Sequence, residues 1–288
     1  MGRTATTTTS FGRDLDPGAG MLVRMTDQLE HSSSGSTAVI GVDIGGSGIK
    51  AAPVDLTSGA LTAERVRLDT PQPATPAAVA ATVTEVVRRS ESEAGGQVDP
   101  STPVGLTIPA VVRSGEVLTA ANIDPSWVGT HAVDLFRQAL GRPVVVANDA
   151  DAAGVAEVRY GSGSGVDGVV VMITLGTGIG SALFVDGTLV PNTELGHLPL
   201  HGDDAERYAA SSVRKAEGLS MKKYAKRLQE YLSLLERLLW PDLIIIGGGI
   251  SRRADEFLPA IDLHTMVMPA KLRNSAGIVG AAVLADPR

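Results

Sequence analysis

The 288-residue chain contains no cysteine. Disulfides, thiolate nucleophiles and cysteine-ligated zinc are therefore excluded. Aromatic residues make up only 3% of the sequence and the formal net charge is -7, whereas nucleic-acid sites are built from stacking rings and cationic surface. No nucleic-acid partner is expected. No apolar run approaches the ~20 residues that span a bilayer, and the N-terminus lacks the apolar core of a secretion signal. The expectation is a cytoplasmic protein that engages no membrane.

What the chain has in quantity is apolar residues, at 43%, and 33 glycines. Its length exceeds the ~250 residues at which single cores stop growing, so two lobes with a cleft between them are expected. Residues 1–36, with TATTTTS and HSSSGS, are polar and low in complexity and read as a flexible extension, with Met21 and Met25 as candidate starts. The lobes are then expected at 37–149 and 150–288.

From Thr37 the pattern is strand, glycine turn, strand, with a third strand near Leu61 to Leu68. A helix over Pro76 to Ser90 follows, with Val79, Val83, Val86 and Val87 on one face. Strands at Val104 to Ile108 and Val144 to Ala147 flank a helix near Ala132 to Leu140. An offset of 131 residues superposes Val39 on Val170, Gly45 on Gly176, Ala51 on Ala182, Val54 on Val185 and Asp55 on Asp186. The second half thus reads as a repeat of the first, although short glycine hairpins also match by chance. Met221 to Trp240 carries a stripe of Met221, Tyr224, Leu228, Leu232, Leu235 and Leu239, ended by Pro241. Strand DLIII runs into a third glycine turn with a helix from about Arg253, and a small-residue helix lies near Ala276 to Leu284.

Three glycine turns therefore follow three apolar strands: Gly45-Gly46-Ser47-Gly48, Gly176-Thr177-Gly178-Ile179-Gly180 and Gly247-Gly248-Gly249. Glycine lets backbone N–H groups surround an anion, and the hydroxyls of Ser47, Thr174 and Thr177 add donors, so phosphate is the natural guest. A hairpin turn that merely needs positive φ is the competing reading for any single turn. Asp43 and Asp149 each sit at the end of an apolar strand. An unpaired buried carboxylate costs several kcal/mol, so both should emerge at the cleft. Asp149, opening a helix, is equally readable as its N-cap. Glu194 and His197, three apart in a glycine-containing loop, suit a polyhydroxyl ligand, with an ordinary surface loop as the alternative.

The segments DIGGSGIK, TPQPATP, AANIDPSW, NDADAAGVAEVRYG, LGTGIGSALFVDGTLVPNTELGHL, WPDLIIIGGGIS and AGIVGAA resemble those of the repressor, open-reading-frame and sugar-kinase (ROK) family over about residues 37–285. Within it they are most similar to the bacterial polyphosphate glucokinases and polyphosphate/ATP glucomannokinases. The resemblance implies an α/β, two-lobed actin-like ATPase (ribonuclease H-like) fold, each lobe a mixed sheet flanked by helices, with the last helix packing back at the lobe junction. It implies transfer of a phosphoryl group from polyphosphate or ATP to the 6-hydroxyl of glucose or mannose, in a homodimer. Asp149 would be the base that takes the hydroxyl proton, and Asn122, Asn148, Asp149, Glu194, His197 and Glu206 would bind sugar. Gly45, Gly46, Ser47, Gly48, Lys50, Thr174, Gly176, Thr177 and Gly178 would hold phosphate. Gly247, Gly248, Gly249, Ile250 and Ser251 would face nucleotide or polyphosphate, and Asp43 would orient Mg²⁺ through water. Many relatives carry a cysteine-rich zinc motif after the Gly-His pair. Here HLPLHGDDAERYAASS has His201 and no cysteine, so no zinc is expected.

A polyanionic donor needs a cationic track, and Lys215, Lys222, Lys223, Lys226 and Arg227 cluster where a helix begins, with Arg252 and Arg253 near the third turn. Cations at a helix N-terminus oppose the macrodipole, which hints at an anion nearby; a solvated helix face is the alternative. Three other readings stay open: a strictly ATP-dependent glucokinase or hexokinase, a non-catalytic polyphosphate-binding protein and a sugar-sensing transcriptional regulator. The last would carry an N-terminal helix-turn-helix, for which residues 1–36 lack the amphipathic periodicity.

Overall fold

The computed structural model describes residues 38–95, 98–121 and 123–286. The extension expected at 1–36 and the expected sugar ligand Asn122 lie outside them. In chain order the first half contains β1 (Ala38–Ile44), β2 (Ile49–Asp55), β3 (Val66–Leu68), α1 (Pro76–Glu93), β4 (Val104–Ile108), β5 (Val112–Arg113), β6 (Glu116–Val117), α2 (Ala132–Leu140), β7 (Val144–Asn148) and α3 (Asp149–Tyr160). The second contains β8 (Val169–Leu175), β9 (Ile179–Val185), β10 (Thr188–Val190), β11 (Pro199–Leu200), β12 (Asp203–Asp204), α4 (Glu206–Ala209), α5 (Ser211–Ala216), α6 (Met221–Leu239), β13 (Leu243–Gly247), β14 (Met266–Pro269) and α7 (Ala276–Leu284).

Two five-stranded sheets share one plan, ordered β3-β2-β1-β4-β7 and β10-β9-β8-β13-β14. Each joins an antiparallel meander to two parallel strands. The expected internal repeat therefore has a physical counterpart, with one correction. The first turn closes between Ile44 and Ile49, the second between Leu175 and Ile179, so the second hairpin is one residue shorter. The offset of 131 holds for the first strands only. Val39 faces Val54 while Val170 faces Phe184, so Val54 corresponds to Phe184 rather than Val185, Ala51 to Ser181 rather than Ala182, and Asp55 to Val185 rather than Asp186.

Two further boundaries differ. Only Val66–Leu68 of the expected third strand pairs with β2, and Leu61 makes an isolated bridge to Val54. The helix expected from Arg253 begins at once after Gly248 as 3-10 turns over Gly249–Glu256, because Gly248 takes a left-handed φ of 77° and turns the chain sharply. In α6, Tyr224, Leu228, Leu232 and Leu235 are fully buried, each leucine contributing about 1.5–3 kcal/mol by removal from water. Trp240, in the left-handed region, ends the helix before Pro241.

The two sheets face each other across α3 and α7. The C-terminal helix α7 packs on β1 and β4 of the first sheet, α3 packs on β9 of the second, and the two helices pack closely together. This approach is possible only with small residues. A Cβ at Gly41 or Gly105 would collide with the α7 carbonyls of Ile278 and Ala281, and one at Gly280 with the carbonyl of Ala152. The far end of α3 is tied down by Glu157, whose buried carboxylate accepts from the backbone N–H groups of Ser162, Lys271 and Leu272 at 2.9, 3.0 and 2.6 Å.

Candidate active site

A cleft of about 550 Å³ opens where the ends of β1, β7 and β8 meet, and Gly45, Gly46, Asn148, Asp149, Thr174, Gly176, Thr177, Gly178, Glu194, His197, Glu206 and Gly248 all line it. Twelve of the expected sugar-, phosphate- and donor-binding residues therefore share one cavity. Ile179 and Gly180 of the second turn, with Pro109, Ala110, Thr119, Ala121 and Ser181, complete its walls; the types of the last five carry no chemical signal that sequence reasoning could use.

Asp149 is positioned by its neighbour. Asn148 is the N-cap of α3, its Oδ1 accepting from the N–H groups of Ala150 at 2.8 Å and Asp151 at 3.1 Å. The reading of Asp149 as the cap is thus overturned, because Asn148 already satisfies the first orphan donors. Asp149 is the first helical residue, half-buried, with Oδ1 accepting from the Ala150 N–H at 2.8 Å. Burial, then the charges of Asp43 and Glu194, push its carboxyl up to about 7 against the pull of the Ala150 N–H.

Asp43 and Lys50 are opposite one another in the β1–β2 register. Lys50 Nζ pairs with Asp43 Oδ2 at 2.9 Å, while Thr107 Oγ1 donates to Asp43 Oδ1 at 3.3 Å. Neither lines the cleft, so Lys50 spends its charge on Asp43. The first turn is held from behind: Thr70 Oγ1 donates to the Gly45 carbonyl at 2.5 Å and Arg67 Nη2 to that of Ser47 at 2.9 Å. Gly48 packs beneath the Arg67 guanidinium, which leaves Gly45 and Gly46 to face the cavity.

Also in the cleft, Glu194 Oε2 stands 3.8 Å from His197 Nε2, and His197 Nδ1 meets Asp204 Oδ2 at 3.0 Å. The bond to Asp204 is the main reason the His197 pKa is raised; partial burial raises that of Glu194. Glu206 Oε2 accepts from the Ile179 N–H at 3.1 Å, locking the second turn to α4. Sequence reasoning missed Asp204, seven residues from its partner on the β11–β12 hairpin. His201 points elsewhere, to Glu230 at 2.6 Å.

A neighbouring pocket of about 440 Å³ shares Gly176 and Thr177 with the cleft and is lined by Ser211, Ser212, Arg214, Lys215, Gly249, Ile250 and Arg253. Of the third turn, Gly248 faces the main cleft and Gly249 and Ile250 this one, while Gly247 packs on Met172 and Ser251 Oγ donates to the Gly248 carbonyl at 2.8 Å. Of the expected basic cluster, only Lys215 and Arg253 reach the pocket. Arg227 is spent on Glu217 at 2.5 Å and stacks over Tyr208, and Lys222, Lys223, Lys226 and Arg252 are exposed.

Among the described residues no group of three or more His, Cys, Asp and Glu could hold a metal ion, and no helix is long and apolar enough to cross a membrane. The chain is 51% identical to the polyphosphate glucokinase of Mycobacterium tuberculosis, over 84% of this chain and 89% of that protein. The crystal structure of an inorganic polyphosphate/ATP-glucomannokinase from Arthrobacter matches with a TM-score of 0.83 at 53% identity, covering 86% of this chain and 98% of that one. A ROK family glucokinase from Streptomyces griseus, solved in complex with glucose and AMPPNP, matches with a TM-score of 0.72 at 27% identity, over 86% and 98% of the two chains. The ROK family model itself matches residues 39–209, and with the two-lobed actin-like architecture around a cleft holding Asp149 between its glycine turns, the chain belongs to the ROK family.

Proposed function

We propose that this protein transfers a phosphoryl group from inorganic polyphosphate or ATP to the 6-hydroxyl of glucose, and of mannose, as a cytoplasmic homodimer. The observation that carries this reading is the position of Asp149. It lies in one cavity with Gly45, Gly46 and Gly176 to Gly178 and with Glu194, His197 and Glu206. Phosphoryl transfer asks mainly for positioning and charge neutralisation. Backbone N–H groups of the turns, with Thr174 and Thr177, receive the anionic oxygens. The carboxylates of Glu194 and Glu206 and the His197 imidazole, together with Asn148, suit the hydroxyls of a hexose.

Asp149 takes the proton of the attacking hydroxyl as the new bond forms, and a carboxyl held near 7 by burial and by Asp43 is matched to that task. Asp43, held by Lys50 and Thr107 and set back from the cleft, would reach a Mg²⁺ on the donor phosphates only through that ion's waters, most of which Mg²⁺ keeps. Such an ion would neutralise charge on the phosphates. The pocket beyond Thr177, with Arg214 and Lys215 beside an Arg253 that pairs with Glu256 at 2.6 Å, offers cations to the rest of the donor and supports a polyanion better than a strictly nucleotide donor.

The test is hexose 6-phosphate formation with glucose and mannose crossed against nucleotide-free polyphosphate and ATP, with and without Mg²⁺. Product from glucose and polyphosphate is expected; product with ATP alone would reduce the reading to an ATP-dependent kinase. Light scattering of the purified chain tests the dimer.

A further inference from the structure

Asp151, two residues past the proposed base, has no part in the chemistry above, yet it is only 2% exposed. Its Oδ2 accepts from the Asn192 N–H at 2.8 Å and its Oδ1 has no hydrogen-bond partner. Asn192 is itself unusual. It sits at a left-handed φ of 59°, a conformation that a non-glycine residue keeps only when its surroundings over-determine it. Its side-chain amide pairs with a single backbone residue of the first half of the chain: the Val112 N–H donates to Oδ1 at 3.0 Å and Nδ2 donates to the Val112 carbonyl at 2.9 Å. Two bonds to one residue fix orientation as well as distance.

Two further contacts belong to the same arrangement. Asn148 Nδ2 donates to the Ala110 carbonyl at 3.0 Å, so the segment 110–112 is held at both ends by asparagines. Ser181, 2% exposed on β9, accepts the Leu195 N–H at 2.9 Å and donates to the Thr193 carbonyl at 2.5 Å. The backbone on either side of Glu194 is therefore pinned, at Asn192 by Asp151 and at Thr193 and Leu195 by Ser181.

We propose that Asp151 and Asn192 are positioning residues that lock three walls of the acceptor pocket together: α3 with its base, the loop bearing Glu194 and His197, and the Pro109 to Val112 segment of the first half. Asp151 needs only an acceptor oxygen for this, whereas Asn192 needs both the left-handed backbone and the two-pronged amide. Loosening the lock lets Glu194 and Ala110 drift from Asp149 and weakens hold on the acceptor, while the glycine turns that receive the donor are untouched. The acceptor as a hexose rests on the function proposed above; the lock itself does not.

The test uses the full chain with Asn192→Gly, which keeps the backbone conformation and removes the amide, Asp151→Ala, and Asp151→Asn, which keeps the acceptor. Asn192→Gly and Asp151→Ala should raise KM for glucose about tenfold or more with KM for the donor within about twofold, and Asp151→Asn should stay within about threefold of wild type. Backbone amide exchange over 191–197 and 109–118, measured without any substrate, should quicken about tenfold in the first two variants and not in the third. If Asp151→Ala does not fold, Asn192→Gly decides. Unchanged exchange and unchanged glucose KM in Asn192→Gly would overturn the proposal, as would Asp151→Asn behaving like Asp151→Ala. A wild-type chain inactive on glucose with either donor would remove the functional reading, and the exchange experiment would still decide the lock.

Discussion

Asn148 caps helix α3 with its side-chain oxygen and grips the Ala110 carbonyl with its nitrogen, and by doing so it leaves Asp149 free to face the cleft. Asp149→Asn keeps this cap and should yield a folded protein with turnover reduced ~10²-fold or more. Near-wild-type turnover in the folded variant would remove Asp149 as the base.

The pH profile follows from the raised carboxyl. The base works ionised, so kcat/KM should fall about tenfold per pH unit below about 7 and level off above it. Asp43→Asn removes one of the charges that push the group up, and whatever it does to the plateau, the midpoint should move to lower pH. A wild-type midpoint in the ordinary carboxylate range would contradict the arrangement.

The same shift has a consequence for stability. A carboxyl whose folded pKa is raised from 3.8 to about 7 contributes stability at low pH that is lost as pH rises through about 7. Asp149→Asn should therefore gain more in Tm relative to wild type at pH 8 than at pH 5, as thermal melts of the ligand-free proteins would show.

On the donor side, Lys215 lines the pocket that continues from Gly176 and Thr177, whereas Lys222 and Lys223 are exposed on α6 and do not. Lys215→Glu should raise KM for long-chain polyphosphate severalfold more than KM for ATP, and Lys222→Glu should change either by less than about twofold. Equal effects of Lys215→Glu on both donors would argue against a polyphosphate track there.

Gly280→Ala probes the contact between α3 and α7. Its Cβ would meet the Ala152 carbonyl, and overpacking of this kind costs about 1–3 kcal/mol or more. Urea unfolding should show the loss, and an unchanged midpoint would mean that the helices can separate without cost.

Much of the fold was legible because it is local. The α6 stripe, the buried strands and the glycine turns each declare themselves within a window of ten to twenty residues, through periodicity and backbone demand. The cleft residues Asp149, Glu194 and His197 were legible for the same reason, as unusual residue types in short, distinctive segments. The contacts that hold them were not. Asp151 meets Asn192 across 41 residues and Asn192 meets Val112 across 80, and nothing in the local pattern of either partner names the other. The pairing of Lys50 with Asp43 depends on strand register, and the second strands of the repeat depart from the offset of 131 because one turn is a residue shorter, so neither is legible in a local window.

The sequence by itself determined the family, the two glycine hairpins and the acid between them, since these depend on residue type at close spacing. Tertiary structure alone decided which charges are free and which are spent. Lys50 on Asp43, Arg227 on Glu217 and His201 on Glu230 are neutralised by neighbours brought in by packing, while Lys215 and Asp149 keep a face to the pockets. The reason is that an electrostatic role depends on distance and burial, and both are properties of the folded chain.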